Sequence, residues 1–579
     1  MNNDRFLPGK WCDEIDVNDF VNLNKKPFFE KPNFLISSSL FSSYYQFLNN
    51  FRIKNDMEDI PNEKLLSLSF ILQHLEGLSF EEKTFSFSFT DQKRFRDLFN
   101  ETASSDLRKA VKMELLEKNF GSQIPPIFTP DIRQLPLYGI SRLIKDKKNH
   151  LKRLENFLKT TDWAEKRIEI HRQIESLERF ELDFPYQMKK PAKNATDALN
   201  GLLSAILYGI SENPYVTFHL PSLIHFIDIY IENDIQSKKL NEELAQSLIS
   251  EFYTKLLFVQ YFFEKRKIKF LVLETIFSAE PSKTTFRFLH FYNSLKSLQF
   301  PIMVIPHVET PSFLKDFYNK LMKNRSPVRF LHSRLFKENQ LYTMSHLGFP
   351  FLADRDVILF NKPCNTLKIL YLTLNGGKDT ETNHNLFPLK NPFIEDNLEF
   401  EDFWKAFEKT VSYIFTMYSE ASNLIMHLSE KYYSHPFRNS FKNYLWLYKY
   451  FFTFTQLDTL AINILSLKNG TYQFERNHKG FITSIKNGKE YSNDEISDMI
   501  SEIVLLLQEQ IDRVPFYHDG KPNLHFFLNQ PLLSSKKYKY ILPPPEYLPV
   551  HFILHNKASF KDYDQILNIS KYDVLDIQF

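Results

Sequence analysis

Asp356-Val-Ile-Leu-Phe-Asn-Lys-Pro-Cys364, followed by Asn365-Thr-Leu-Lys-Ile-Leu-Tyr-Leu-Thr-Leu374, is the stretch from which the fold class reads most directly. Val357 to Phe360 form a brief apolar run, β-branched at its start and stopped by Asn361 and Pro363, as in a buried strand. The chain then enters a loop that carries Cys364 and leads into a helix. Similar short runs stand at residues 270–273, 302–305, 525–528 and 550–554.

The stretches between these runs have helical periodicity. Asn241 caps a segment whose apolar stripe is Leu244, Leu248, Phe252, Leu256 and Val259. Phe403, Phe407, Val411, Ile414, Tyr418, Ala421 and Leu424 repeat the spacing, and Ser492 with Glu495 forms a capping box before Ile496, Ile500, Ile503 and Leu507. Residues 141–180 read as two largely surface helices, the second opened by an Asp162/Glu165 capping box. Strands separated by long helices imply parallel pairing with helices outside, in an open sheet or a barrel, so the expected class is α/β with excess helix.

The 579 residues hold 72 Lys+Arg against 70 Asp+Glu, a net charge of +2 that argues against a dedicated nucleic-acid binder. Phe occurs 58 times and Gly only 13 times, against about 40 glycines at average usage. No G-x-G-x-x-G, G-x-x-x-x-G-K-[ST] or G-x-S-x-G is present, so dinucleotide, P-loop and nucleophile-elbow sites are not expected. Cys12 and Cys364 are the two cysteines, which fits a reducing compartment. The start, MNNDRFLPGKWCDEIDV, has no basic stretch followed by an apolar one, and no segment reaches 18 uncharged apolar residues, so the expectation is a soluble cytoplasmic protein without membrane partners. Pro543-Pro544-Pro545 is the one candidate boundary, setting off a C-terminal segment of strand-like character.

Residue by residue, few groups point to chemistry. His551 and His555 fall on an expected strand, too far apart to chelate without a third ligand, and no other histidine has metal-ligand spacing. The basic runs Lys145-Asp-Lys-Lys, Lys265-Arg-Lys and Lys536-Lys-Tyr-Lys-Tyr read as solvated faces. Cys364 is the single candidate catalytic residue, because loops that follow strands are where α/β folds place reactive groups. No cofactor and no metal is expected.

Several segments, taken in order, resemble the pyruvate formate-lyase (formate acetyltransferase) branch of the glycyl radical enzymes. Trp11-Cys-Asp-Glu-Ile-Asp-Val-Asn-Asp-Phe20 is similar to that family's W-x-x-x-I-D-V-R-D-F. Thr129-Pro-Asp-Ile132 and Leu137-Tyr-Gly-Ile-Ser-Arg-Leu-Ile-Lys-Asp-Lys147 resemble its T-P-D-I and L-Y-G-I-x-x-L-x-x-D-K. Further matches are Pro191-Ala-Lys-Asn-Ala195, Ile227-Asp-Ile-Tyr-Ile-Glu-Asn-Asp234, Thr285-Phe-Arg-Phe-Leu289 and Leu370-Tyr-Leu-Thr-Leu-Asn-Gly-Gly377. The resemblance implies a ten-stranded α/β barrel of two antiparallel halves, each of five parallel strands, surrounded by helices and commonly dimeric. It also implies a barrel domain over residues 1–542 and a remnant of the radical-bearing region over 543–579.

What the resemblance implies for chemistry is missing residue by residue. The family's adjacent cysteine pair comes after a D-Y-A-I-A strand, and here Asn361 and Lys362 come after Asp356-Val-Ile-Leu-Phe360. Its radical glycine lies in an R-V-[SC]-G-Y setting, for which Val574 or Leu575 stands, and the last glycine is Gly520. Of its two substrate arginines, one is replaced by Pro363; the other lies in a glycine-rich segment cut here to Arg133-Gln-Leu-Pro136, where Arg133 is the available substitute. The expectation is therefore a shortened, degenerate and catalytically inactive relative that acts by binding or regulation, as a homodimer or as a heterodimer with a related lyase, and whose Phe surplus plugs the former cavity. The alternatives are a divergent acyltransferase or lyase using Cys364, and a scaffold whose exposed aromatics form a docking patch.

Overall fold

A computed structural model describes Asp16, Asp19 and Phe20, most of residues 101–515, and the segments 523–528, 550–555 and 574–576. The helices are α1 (Ser105–Lys112), α2 (Gln134–Tyr138), α3 (Ile140–Phe157), α4 (Thr161–Asp183), α5 (Ala195–Glu212), α6 (Ile224–Gln236), α7 (Glu242–Lys265), α8 (Lys283–Ser294), α9 (Ser312–Lys323), α10 (Thr366–Leu374), α11 (Phe400–Tyr432), α12 (Leu457–Lys468) and α13 (Asn493–Arg513). The strands are β1 (Ile127–Phe128), β2 (Thr217–His219), β3 (Phe270–Leu271), β4 (Glu274–Phe277), β5 (Ile302–Ile305), β6 (Val328–Leu331), β7 (Tyr342–Met344), β8 (Pro350–Leu352), β9 (Asp356–Phe360), β10 (Pro363–Asn365), β11 (Phe393–Ile394), β12 (Asn397–Leu398), β13 (Leu447–Thr455), β14 (Tyr472–Arg476), β15 (Ile482–Asn487), β16 (Asn523–Leu528), β17 (Val550–His555) and β18 (Val574–Asp576).

One sheet dominates, in the order β3-β2-β1-β9-β13-β16-β17-β18-β6-β5-β4, with β10 added to β13. Pairing is parallel within β1–β2–β3, within β4–β5–β6 and along β9–β13–β16–β17–β18. Among the described residues of this sheet it is antiparallel only at β1 with β9 and at β18 with β6. The two ends of this path, β3 and β4, are separated in sequence only by residues 272 and 273. All four residues of β5 are buried, as expected for a parallel strand covered on both faces. The α/β class with excess helix is what the chain adopts. Val550–His555 and Val574–Asp576, which lie beyond the proline run, pair inside this same sheet.

The long amphipathic helices obey their sequence signals. Asn241 caps α7 through Leu244 N–H (2.8 Å), with Leu248, Phe252 and Leu256 buried. The α11 stripe from Phe403 to Ala421 is buried, and Ser492 and Glu495 form a complete capping box on α13. Helix α4 starts at Thr161, and the side chains of the Asp162/Glu165 pair lie outside the described residues. Helices α3 and α4 each keep a charged face exposed and bury the opposite one. They share a seam in which the Lys147 ammonium, 2% exposed, donates to Gln173 (2.6 Å) beside Ile144, Ile170, Ile174 and Leu177.

Helix N-termini leave backbone N–H groups without intrahelical partners. Here buried and half-buried carboxylates reach them from other helices and strands. Asp234 accepts from Ala195 N–H at α5 (2.6 Å), Glu274 from Leu223 N–H at α6 (3.1 Å), Asp228 from Thr284 N–H at α8 (2.8 Å) and Glu420 from Ser104 N–H at α1 (3.0 Å). Each of these bonds joins elements distant in sequence and complements the positive end of a helix dipole.

The β14–β15 hairpin is pinned to the Gly376-Gly377 turn by one side chain. Asn375 Oδ1 accepts from Ile482 N–H (2.9 Å) and its amide donates to Ile482 C=O (3.0 Å) and Tyr371 C=O (2.8 Å). Asn375→Ala strips both backbone groups of Ile482, a fully buried residue, of these partners. The expected loss is about 1–3 kcal/mol, read as lower stability in urea with faster amide exchange at Ile482. Unchanged exchange there would contradict the pinning.

Candidate functional site

The region where the sequence places the chemistry lies between β9 and β10 on one side of β13. Phe360 pairs with Tyr450 and Pro363 with Thr453, and Cys364 and Asn365 continue against Phe454 and Thr455. The offset between the two chains is the same on either side of residues 361 and 362. Asn361 and Lys362 themselves lie outside the described residues.

Cys364 is therefore not in a loop, as its sequence neighbourhood suggests, but in a short strand. The reason lies in its two C-terminal neighbours. Asn365 caps α10 by accepting from Leu367 N–H (3.0 Å), and the Thr366 hydroxyl donates to Thr455 C=O (2.6 Å). The start of α10 is thereby clipped to the end of β13, which holds residues 363–365 extended.

The other sequence candidates are dispersed. Arg133 forms a two-pronged ion pair with Asp131, Nε to Oδ1 at 2.8 Å and Nη2 to Oδ2 at 2.9 Å, inside the Thr129-Pro-Asp-Ile132 segment. His551 and His555 are on β17. Val574 and Leu575 are not in a loop but in β18, hydrogen-bonded in register to β17 on one side and β6 on the other. Among the described residues no group of three or more His, Cys, Asp or Glu is placed to hold a metal ion. None of their helices is long and apolar enough to cross a membrane. No phenylalanine appears among their exposed large hydrophobic side chains, which are Leu137, Tyr138, Ile168, Ile229, Val308 and Leu505, so an exposed phenylalanine docking patch finds no support there.

The densest polar cluster has no role legible in the sequence, although it is made from two of the motif segments. Arg287, 0% exposed, donates from Nε to Glu242 (2.7 Å), from Nη2 to Glu232 and Glu242 (each 2.7 Å) and from Nη1 to the Thr284 hydroxyl (3.1 Å). Asp228 stands 3.6 Å from Nη1, and Lys283 donates to Glu232 at 2.8 Å. Asp228 and Glu232 are four apart on α6, on one face, and Arg287 and Lys283 are four apart on α8. The available signal is a pair of acids in and just after the apolar run Ile224–Ile231, since such residues are seldom buried unless paired.

Charge and burial divide the carboxylates. Burial pushes the Asp228 carboxyl above its ordinary 3.8, against the pull of Arg287. Burial acts upward on Glu232 too, but Arg287 and Lys283 together hold it below 4.5. A raised folded-state value means that Asp228 favours the fold most below pH 3.8, and that this contribution is lost as pH rises through the folded value. Glu232 has the opposite sign, its contribution present above pH 4.5 and lost on acidification. Asp228→Asn keeps an acceptor for Thr284 N–H and removes the charge. Its stability relative to the parent is expected to improve as pH rises from 3 to 7 in urea titrations. A pH-independent difference would refute this assignment.

These contacts bind ions to each other and cap helices. The motif segments thus meet as structure. The Leu137-Tyr-Gly-Ile140 segment lies against the backbone that precedes Pro191-Ala-Lys-Asn-Ala195, through Ile140 N–H to Met188 C=O (2.7 Å) and Ala192 N–H to Pro136 C=O (2.8 Å). A Cβ on Gly139, at φ +71°, would sit 2.6 Å from the Lys190 carbonyl carbon.

Comparison with known proteins agrees with this reading of the motifs. The family model described as pyruvate formate lyase-like matches residues 79–271 and 278–443, well over half of the chain. Formate acetyltransferase of Haemophilus influenzae is 24% identical over 331 residues, 52% of this chain and 42% of that protein. The chain thus covers less than half the length of that relative. Among solved structures, hydroxyproline dehydratase from Clostridioides difficile superposes with a TM-score of 0.58 at 13% identity, covering 83% of this chain and 72% of the other. The B12-independent glycerol dehydratase from Clostridium butyricum gives 0.55 at 14%, covering 88% and 80%. At such identities these structures speak for the fold alone. With its motifs in order and its backbone superposing on theirs, the chain belongs to the pyruvate formate lyase-like family.

Proposed function

We propose that this chain is a catalytically inactive member of its family that acts by binding, as a homodimer or paired with a related lyase, on a closed ten-stranded barrel. The closure is supported by the strand path, whose ends β3 and β4 lie on one stretch of chain, and by its two antiparallel junctions. One observation carries the functional reading. Val574 and Leu575, at the place where the resemblance puts the radical glycine, are in β18, paired in register with β17 on one side and β6 on the other. A glycyl radical needs an unsubstituted Cα in a loop, and neither of these paired strand residues offers one.

The test is to mix the purified protein with a lyase-activating enzyme, S-adenosylmethionine and reductant. No glycyl-type EPR signal and no pyruvate-dependent acetyl-CoA are expected, while co-purification with a related lyase is. Either the signal or the product would sink the proposal.

A further inference from the structure

Two exposed faces of this chain set an apolar side chain among charges of one sign, and the two signs are opposite. The first face is the junction of α2 and α3, where Leu137 and Tyr138 are exposed. Arg142 lies over the Tyr138 ring, 5.5 Å from Cζ to centroid. The neighbouring chain exposes Lys189, Lys190 and Lys193. It is joined to the junction by Ile140 N–H to Met188 C=O (2.7 Å) and by Ala192 N–H to Pro136 C=O (2.8 Å). These bonds, with Gly139 pressed against the Lys190 backbone, present the leucine and the tyrosine on a fixed frame.

The second face is the outer side of α13. Asp494, Glu502, Leu505, Glu509 and Asp512 are exposed and recur at helical spacing, while Ile496, Ile500, Ile503 and Leu507 bury the opposite side. Lys468 stands 3.8 Å from Glu502 and Arg513 3.6 Å from Glu509, exposed pairs that water screens and that leave the face acidic. Leu505, 59% exposed, is the apolar residue at its middle.

A single exposed apolar residue is ordinary on a protein surface; the setting of these is not. Tyrosine and arginine are the residue types that dominate interface energetics, and charges at the rim select the partner and its orientation. A cationic rim around Leu137 and Tyr138 fits an anionic surface with an apolar centre, and the α13 face has that chemistry. We propose, building on the homodimeric reading above, that two copies of this chain pair reciprocally, the α2–α3 junction of each lying against α13 of the other. Leu137 and Tyr138 of one copy then cover Leu505 of the other, and the three lysines face Glu502, Glu509 and Asp512. Each copy contributes both faces, so the contact closes around a two-fold axis and needs no third chain.

Sedimentation equilibrium of the full chain at low and high salt tests this. A dimer is expected whose affinity falls on the order of 10-fold as salt rises, because exposed charges are screened. The triple variant Lys189→Glu, Lys190→Glu, Lys193→Glu and, separately, the triple variant Glu502→Lys, Glu509→Lys, Asp512→Lys are each expected to weaken it on the order of 100-fold. Their urea midpoints are expected to stay near that of the parent, since all six side chains are exposed. An equimolar mixture of the two variants is expected to regain the parent's dimer, because both contacts then again join opposite charges. Variants that dimerise as the parent does would overturn this choice of faces while leaving the homodimer standing, and a mixture that stays monomeric would overturn it as well. A monomeric parent would overturn the pairing together with the homodimer, and would leave the chain's inactivity, which EPR reads, untouched. Loss of co-purification with a related lyase in the lysine variant, with self-association unchanged, would assign the junction to that lyase and overturn the second copy as its occupant.

Discussion

Arg287→Met is expected to destabilise the protein by about 3–5 kcal/mol, the range for removing one partner of a buried ion pair. The side chain is fully buried and serves Glu232 and Glu242 at 2.7 Å, with Asp228 at 3.6 Å. Methionine fills most of the volume but leaves three carboxylates facing one another, and only Lys283 remains to offset Glu232. Two of the three are then driven toward protonation, so the deficit should shrink on acidification. The measurement is equilibrium urea unfolding at pH 7 and pH 5. Adding Glu232→Gln and Glu242→Gln to Arg287→Met should return much of the loss, because a neutral cluster has no uncompensated charge. A single variant within 1 kcal/mol of the parent would mean that water reaches the cluster and screens it.

The second large effect is expected at Gly377. Its φ of +83° lies in the left-handed region, and a Cβ there would run into the Phe387 carbonyl oxygen. The backbone has little freedom to retreat: Gly377 N–H donates to Leu372 C=O (2.8 Å) and Leu386 N–H donates to Gly377 C=O (3.0 Å). Gly377→Ala therefore adds left-handed strain of about 1–2 kcal/mol to the displacement of the 385–387 segment, roughly 3 kcal/mol in all, within the range for severe point changes. Gly470 supplies the control. Its φ is +64° and nothing lies within 4 Å of a Cβ there, so Gly470→Ala carries the strain alone. Urea midpoints that shift equally in the two variants would show that the Phe387 contact costs nothing.

Legibility of the sequence varies with the range of the interaction that decides each feature. Helices α7, α11 and α13 are readable because their stripes and caps are local, as with Asn241 and Ser492. Strand β5 is readable at both ends because it is bounded by Pro301 and Pro306. Leu447–Thr455, the longest strand among the described residues, escapes such a reading. Lys449 and two threonines interrupt its apolar run, although alternation of aromatic and β-branched residues is there to be seen. The β14–β15 hairpin escapes it too, since its turn at Asn477 to Gly480 is held by Asn477 C=O accepting from Gly480 N–H and not by an Asn-Gly pair.

For the candidate site, residue identities are legible and placement is not. That no cysteine pair occurs is plain from sequence, yet whether Cys364 sits in a loop depends on a partner strand 90 positions downstream. The Arg287 cluster has the same character. Asp228, Glu232 and Arg287 stand in the motif segments, but their meaning comes from α6, α7 and α8 meeting face to face.

The antiparallel junctions also set the order in which the chain can finish folding. Strand β6 ends near residue 331, but its neighbour β18 is residues 574–576; β1, at residues 127–128, waits for β9 at 356–360. During synthesis the β6 edge therefore exists for more than 200 residues without its cover. An open, apolar parallel edge is a template for pairing with other chains, and long-range closures are slow. The nascent chain is thus exposed to aggregation until three residues, Val574, Leu575 and Asp576, have been made. Sensitivity of folding to loss of that short strand is the expected consequence of this topology.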